Sequence, residues 1–264
     1  MYTKSFIDIC KKIRQRVIRS LYFAEGGHAG SSLSIVEILS YLYFDRKILA
    51  PKKYEKFVLS KGHAAPALYA VLNLIGKINN KELNTLRKIG SKLQGHPDRK
   101  LIKDIHAGTG ALGQGLSMAI GFAIAEKIKK TNKKSFCILG DGEMQEGQIW
   151  EAAMAAVHHE VNNLNVFVDR NRIQNDDFMD KQLRLFDVAA KWEGFGWAVR
   201  ECDGHNMSEL LSALEWMDSI TDRPAVLIAH TIKGKGVSFM EDNPAFHGAA
   251  PNDEQLAQAM EELQ

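Results

Sequence analysis

Gly140-Asp141-Gly142 closes one apolar run, and Asn171 closes the next. An aspartate and an asparagine on neighbouring strand ends are two oxygen donors of the kind a hard divalent cation takes. Glycines on either side of the aspartate let the backbone turn sharply and admit a phosphate close to it. The pattern suits a cation bridging a diphosphate, with a backbone carbonyl near Ile173 as third protein donor and phosphate oxygens and water completing about six ligands. A helix starting after Gly142 would aim its N-terminal amides at the same anion. A plain tight turn is the other reading of Gly-Asp-Gly; the spaced asparagine weighs against it.

Four of the nine histidines fall in glycine-bearing loops: His28 in Gly-Gly-His-Ala-Gly, His63 in Lys-Gly-His, His96 in Gly-His-Pro-Asp and His247 in Phe-His-Gly. Histidine exchanges protons near neutrality and hydrogen-bonds phosphate or sugar hydroxyls. No cysteine or His-Glu motif accompanies them, so zinc is not indicated. His158-His159 close a helix and read as solvated. His106, His205 and His230 are left unassigned.

The elements that must position these groups follow from hydrophobic period. Helices are expected over 3–25, 33–44 (capped by Ser32 or Ser34), 64–75, 79–89, 113–130, 147–160, 184–194, 206–218 and 252–263. Buried strands are expected at 57–60, 135–141, 165–171, 197–202 and 225–231, with long loops at 90–112, 172–183 and 232–251. Strands alternating with helices predict an α/β fold with a doubly wound, mainly parallel sheet and helices on both faces, formed by residues 1–264 as one domain. Ligands in such sheets sit beyond the carboxyl ends of the strands, where nearly every Gly/His loop falls.

The 264 residues carry 34 basic against 32 acidic side chains, a net charge of +2, which argues against a nucleic-acid partner. Composition is ordinary for a globular protein, 45% hydrophobic and 25% charged. No apolar run approaches a membrane span. Cys10, Cys137 and Cys202 are scattered, and reduced thiols in a cytoplasmic protein are expected.

Residues 57–69, Phe-Val-Leu-Ser-Lys-Gly-His-Ala-Ala-Pro-Ala-Leu-Tyr, resemble a transketolase segment. Gly95-His96-Pro97, Thr109-Gly-Ala-Leu-Gly-Gln-Gly-Leu116, Gly140-Asp-Gly-Glu-Met-Gln-Glu-Gly147 and Trp150-Glu-Ala152 resemble further motifs of that family, in family order. The resemblance implies the thiamine-diphosphate-binding fold and thiamine diphosphate with Mg²⁺, or another cation such as Ca²⁺ or Mn²⁺. It assigns Asp141, Asn171 and the Ile173 carbonyl to the metal. It assigns His63, Gly142 and His247 to the cofactor's diphosphate side, Glu143 to cofactor binding, Gly110 and Leu112 to the loop against the cofactor, and His28 and His96 to the donor sugar's hydroxyls and proton movements; all four histidines are expected to serve catalysis. Glu146 and Glu151 match buried acids at a protomer interface, or else lie on a solvated helix face. Asn171-Arg172-Ile173-Gln174 departs from the Asn-Gly form common in full-length members.

A full-length transketolase is well over twice this long, and its second domain supplies the glutamate that activates the cofactor. The chain is therefore expected to be the N-terminal subunit of a split transketolase, active with a separately encoded C-terminal subunit, in an α2β2 hetero-oligomer, on sugar phosphates. The apolar 113–130 helix is the expected interface. Three readings stand against this one: the α-subunit of a 2-oxoacid dehydrogenase, disfavoured by Ser-Lys-Gly-His and Gly-His-Pro; a deoxyxylulose-phosphate-synthase-like enzyme, suggested by Lys233-Gly-Lys-Gly236 but disfavoured by Thr109–Leu116; and a non-catalytic cofactor-binding scaffold.

Overall fold

The computed structural model describes residues 2–175 and 177–264. Its seven described strands are β1 (Lys56–Leu59), β2 (Ser135–Gly140), β3 (Leu164–Arg170), β4 (Ile173–Gln174), β5 (Asp177–Phe178), β6 (Ala198–Asp203) and β7 (Ala225–His230). Helices are α1 (Tyr2–Ala24), α2 (Ala29–Leu33), α3 (Val36–Ser40), α4 (Ala65–Leu74), α5 (Asn80–Leu83), α6 (Gln114–Ile128), α7 (Gly147–His158), α8 (Met179–Gln182), α9 (Val188–Gly194), α10 (Met207–Ser219) and α11 (Asp253–Glu262).

Five strands form one parallel sheet in the order β1-β2-β3-β7-β6. Side chains alternate across it, as the two-residue period of a strand requires. Phe57, Phe136, Ile138, Phe167 and Leu227 meet α1, α3, α4 and α10 on one face. Val58, Cys137, Leu139, Val166, Val168 and Ile228 meet α6, α7 and α9 on the other. Continuous apolar runs such as Val166-Phe167-Val168 are needed because both faces are covered. The doubly wound expectation holds. Each fully buried aliphatic or aromatic side chain contributes about 1.5–3 kcal/mol, so the strand ends are a rigid platform for the loops beyond them.

Several boundaries differ. The helix expected over 33–44 is broken into α2, α3 and a π-helical turn at Tyr41–Asp45. Neither Ser32 nor Ser34 caps it: Ser32 Oγ donates to the His28 carbonyl at 2.8 Å and Ser34 Oγ to Asp169 at 2.7 Å. The 79–89 helix is only α5, ended by Thr85 Oγ1 bonding back to the Glu82 carbonyl at 2.7 Å and by Arg87 at φ 61°. The 172–183 loop holds the short β4–β5 hairpin and α8, elements too brief to leave a periodic signal. The 184–194 helix begins only at Val188, where Asp187 caps the Ala190 N–H at 2.9 Å. All three cysteines are free and buried. Among the described residues, no helix is long and apolar enough to cross a membrane.

Candidate cofactor site

A cleft of about 230 Å³ lies beyond the carboxyl ends of β1, β2, β3 and β7. His63 enters it from a 3₁₀ turn, Gly62–Ala64, directly after β1. The 90–112 segment brings His96, Gly110 and Leu112; it is anchored by Tyr69 Oη on the Gln94 and His96 carbonyls (2.9 and 3.1 Å) and by Thr109 Oγ1 on the Leu59 carbonyl at 2.7 Å. At Gly115 a Cβ would sit 2.6 Å from Ser60 Cα, so only glycine lets α6 press this loop onto the end of β1. His28 and His247 arrive on loops tied together by Gly27 N–H to the Gly248 carbonyl at 3.4 Å. The ring centroid of His28 lies 5.1 Å from those of both His63 and His247. All four predicted loop histidines therefore share one cleft.

Burial sets their charge. Burial first, then neighbouring cationic groups, lowers His28 to about 4 and His247 to about 3, holds His63 well below its ordinary value and lowers His96. They are neutral imidazoles at physiological pH.

Asp141 and Asn171 stand at the ends of β2 and β3, where the spacing puts them, and both are buried. Asp141 Oδ1 accepts the Gly142 N–H at 2.8 Å and Oδ2 the Arg172 N–H at 2.6 Å, with Arg170 Nη1 at 3.4 Å. Burial and then the Asp169 charge push Asp141 up to about 6, against the pull of those donors. Asn171 Nδ2 donates to Asp169 Oδ2 at 2.8 Å, and its Oδ1 accepts the Ile173 N–H at 3.1 Å. That fixes the amide with its oxygen away from Asp169. The amides beside Asp141 belong to a four-residue 3₁₀ turn, Gly142–Gln145, because α7 starts only at Gly147; the expected helix N-terminus at Gly142 is displaced by that turn.

The oxygens present fit a hard cation. The Asp141 carboxyl is buried and ion-paired with the Arg170 guanidinium only at 3.4 Å, and the Ile173 carbonyl already accepts a cationic group, Lys233 Nζ, at 3.0 Å. Among the described residues no group of three or more His, Cys, Asp or Glu could hold a metal by itself. A cation here thus depends on an amide, a carbonyl and a ligand's own oxygens, the donor set that suits Mg²⁺ on a diphosphate.

Residues 7–264 match the family described as transketolase, thiamine diphosphate binding domain. The chain belongs to that family. It is 39% identical over 258 residues to the A subunit of the apulose-4-phosphate transketolase of Phocaeicola vulgatus, covering 96% of this chain and 92% of that protein. It is 40% identical over 243 residues to the 6-deoxy-6-sulfo-D-fructose transketolase subunit SqwG of Clostridium sp. (strain MSTE9), covering 90% and 88%. The transketolase structure from Campylobacter jejuni superposes with a TM-score of 0.90 at 30% identity, over 98% of this chain and 43% of that one. The chain thus spans well under half of such a transketolase. These relatives match the transketolase reading rather than the dehydrogenase or synthase alternatives.

Against the family pattern, sequence reasoning missed two buried lysines that line the cleft. Lys61, in the Ser-Lys-Gly-His motif, pairs with Asp169, which also accepts from Ser34, Asn171 and Thr231. Against burial, which works the other way, Lys61 holds Asp169 below its ordinary range. Lys233 Nζ lies 2.6 Å from His247 Nδ1, and burial followed by Lys61 lowers it to about 7. The available signal is that each lysine stands directly before a glycine, Lys61 in Ser-Lys-Gly-His and Lys233 in Lys233-Gly-Lys-Gly236. Glu143 lines the cleft, but its carboxylate is engaged by Ser60 Oγ at 2.5 Å, Gly113 N–H at 2.9 Å and Gly140 N–H at 3.0 Å. It ties three loops together rather than offering free oxygens. Glu146 and Glu151 are exposed and lie outside the cleft.

Proposed function

We propose that this chain is the N-terminal, diphosphate-binding subunit of a two-chain transketolase, acting as one domain and moving a two-carbon ketol unit from a ketose (phosphate) to an aldose. The carrying observation is that the His28, His63 and His247 rings, 5.1–5.8 Å apart, converge on the cleft that also holds the Asp141, Asn171 and Ile173 oxygens. Asp141, Asn171 and the Ile173 carbonyl would hold Mg²⁺, or Ca²⁺ or Mn²⁺ in its place. His63, His247, Gly142 and Lys233 would face the diphosphate, with Gly110 and Leu112 alongside the cofactor. Bound thiamine diphosphate supplies a nucleophilic carbon and an electron sink for breaking and making the C–C bond. His28 and His96, kept neutral, can donate to or accept from the sugar's hydroxyls and carry protons there.

Relatives named as subunits, matched over 92% and 88% of their lengths, support a separately encoded C-terminal partner. We place that partner on the outer face of α6 and α7, with Glu146 and Glu151 turned toward it, in an α2β2 assembly. Near-equal identity to a sugar-phosphate enzyme and a sulfosugar enzyme supports a division of labour: this chain reads the ketol end and the partner reads the anionic tail. Buried free cysteines support a cytoplasmic location.

The test mixes the chain with the C-terminal subunit, thiamine diphosphate and Mg²⁺ and assays ketol transfer from several ketose phosphates. Turnover only in the complete mixture is expected. Cofactor binding without turnover on any donor would favour the scaffold reading instead.

A further inference from the structure

His205, the last residue of Asp203-Gly204-His205, lies outside the cleft but reaches the segment that feeds it. Gly204 donates to the His230 carbonyl at 2.8 Å, and a Cβ there would fall 2.6 Å from Thr231 Cγ2, so only glycine lets this turn close onto β7. His205 Nε2 accepts the Ile232 N–H at 2.9 Å, while Nδ1 faces Glu37 Oε2 at 3.1 Å. Because Nε2 accepts, the proton sits on Nδ1 and is donated to Glu37. Glu37, buried on α3, is gripped by Arg14 Nη2 at 2.7 and 3.0 Å, and Arg14 Nε continues to the Lys235 carbonyl at 2.8 Å.

One buried chain of side chains therefore holds the backbone on both sides of Lys233: Ile232 through His205, Lys235 through Arg14. None of Arg14, Glu37 and His205 lines the cleft; Lys233 does. A backbone held at two points fixes where the Lys233 side chain sets out, and its ammonium is then pinned by the Ile173 carbonyl at 3.0 Å and His247 Nδ1 at 2.6 Å, so the head is in place before a ligand arrives. We propose that Arg14, Glu37 and His205 form a positioning unit for the cofactor's diphosphate, acting through Lys233, with His205 setting the entry of the loop. The proposal rests on the cofactor reading only for what fills the cleft.

A merely structural network predicts something different from a positioning one, and two amide replacements separate them. In His205→Gln the amide oxygen can take the Nε2 position and still accept from Ile232. In His205→Asn only the Glu37 side is kept. The full chain, reconstituted with its C-terminal subunit in the presence of Mg²⁺, is titrated calorimetrically with thiamine diphosphate as wild type, H205N, H205Q, K233M and H205N/K233M. Amide hydrogen exchange across 231–236 is followed in parallel on the chain without cofactor.

Positioning predicts that H205N speeds exchange at Ile232 and raises the cofactor Kd about tenfold, the loss of one buried hydrogen bond, while H205Q stays within about twofold of wild type. The double variant then binds no worse than K233M. Full additivity of H205N on K233M, or equal losses in H205N and H205Q, overturns the proposal. If H205N does not fold, Arg14→Lys, which keeps a charge for Glu37 but not the Nε donor to Lys235, runs the same cycle. If wild type binds no thiamine diphosphate, the cofactor reading falls, and unchanged exchange at Ile232 in H205N would overturn the clamp separately.

Discussion

The cleft and the outer face of α6 and α7 handle water in opposite ways. In the cleft and directly beneath it, ionisable groups are buried: Lys61, Lys233, Asp141 and Glu143, which line it, and Asp169, which pairs with Lys61, are each no more than 2% exposed. On the outer face, apolar groups are left in solvent: Met118, Ile128 and Met154 are 40%, 76% and 52% exposed. Both arrangements cost free energy in the isolated chain. The first is retained where a charged ligand uses the groups, the second where another protein covers them. On the proposed reading, one sheet carries two unfinished surfaces, one for a small anion and one for a partner.

The contrast is largest at the Lys61–Asp169 pair. Lys61→Met leaves a buried, unpaired carboxylate and is expected to lower the chain's own stability by about 3–5 kcal/mol in urea unfolding. Met118→Ser, on the outer face, is expected to move it by less than about 0.5 kcal/mol. Equal effects would mean that the two regions do not differ as described.

The next effect reverses the contrast. Met118→Asp with Met154→Asp is expected to weaken association with the C-terminal subunit by about 10- to 100-fold in analytical ultracentrifugation, with the chain's own Tm unchanged. Retained association would move the partner to another face.

The smallest is a pH effect set mainly by the buried histidines. His28 and His106, each lowered to about 4, and His247, lowered to about 3, are neutral when folded, whereas an unfolded histidine titrates near its ordinary value of about 6.5. Between those limits the unfolded chain binds more protons, so stability falls as pH falls. Asp141, raised to about 6, works the other way: its contribution is present below its unfolded value and lost as pH rises through 6. Three groups outweigh one, and Tm is expected to drop by about 5 °C between about pH 7 and about pH 5. A flat or rising Tm would contradict the buried, neutral cluster.

Sheet and cleft are legible in the sequence where the signal is local. Apolar runs ending in Gly-Asp-Gly or Asn place Asp141 and Asn171, and glycine-flanked histidines locate the loops. Less visible are groups whose role depends on a distant partner. Lys61 and Lys233 read as ordinary lysines until Asp169 and the Ile173 carbonyl are seen beside them. Glu143 reads as a ligand until Ser60, Gly113 and Gly140 are found on its oxygens. His205 has no readable role in the sequence because Glu37, 168 residues away, gives it its orientation. Short elements such as the β4–β5 hairpin carry too few residues for a period to show.

The most direct test of the cofactor site is a calorimetric titration of thiamine diphosphate into the reconstituted two-chain protein, with Mg²⁺ and then with a chelator, for wild type and Asp141→Ala. Binding that needs the cation and weakens by about a hundredfold or more in Asp141→Ala is predicted. Equal binding by both proteins, whether or not the cation is present, would contradict the assignment of Asp141, Asn171 and Ile173 to a metal-diphosphate site.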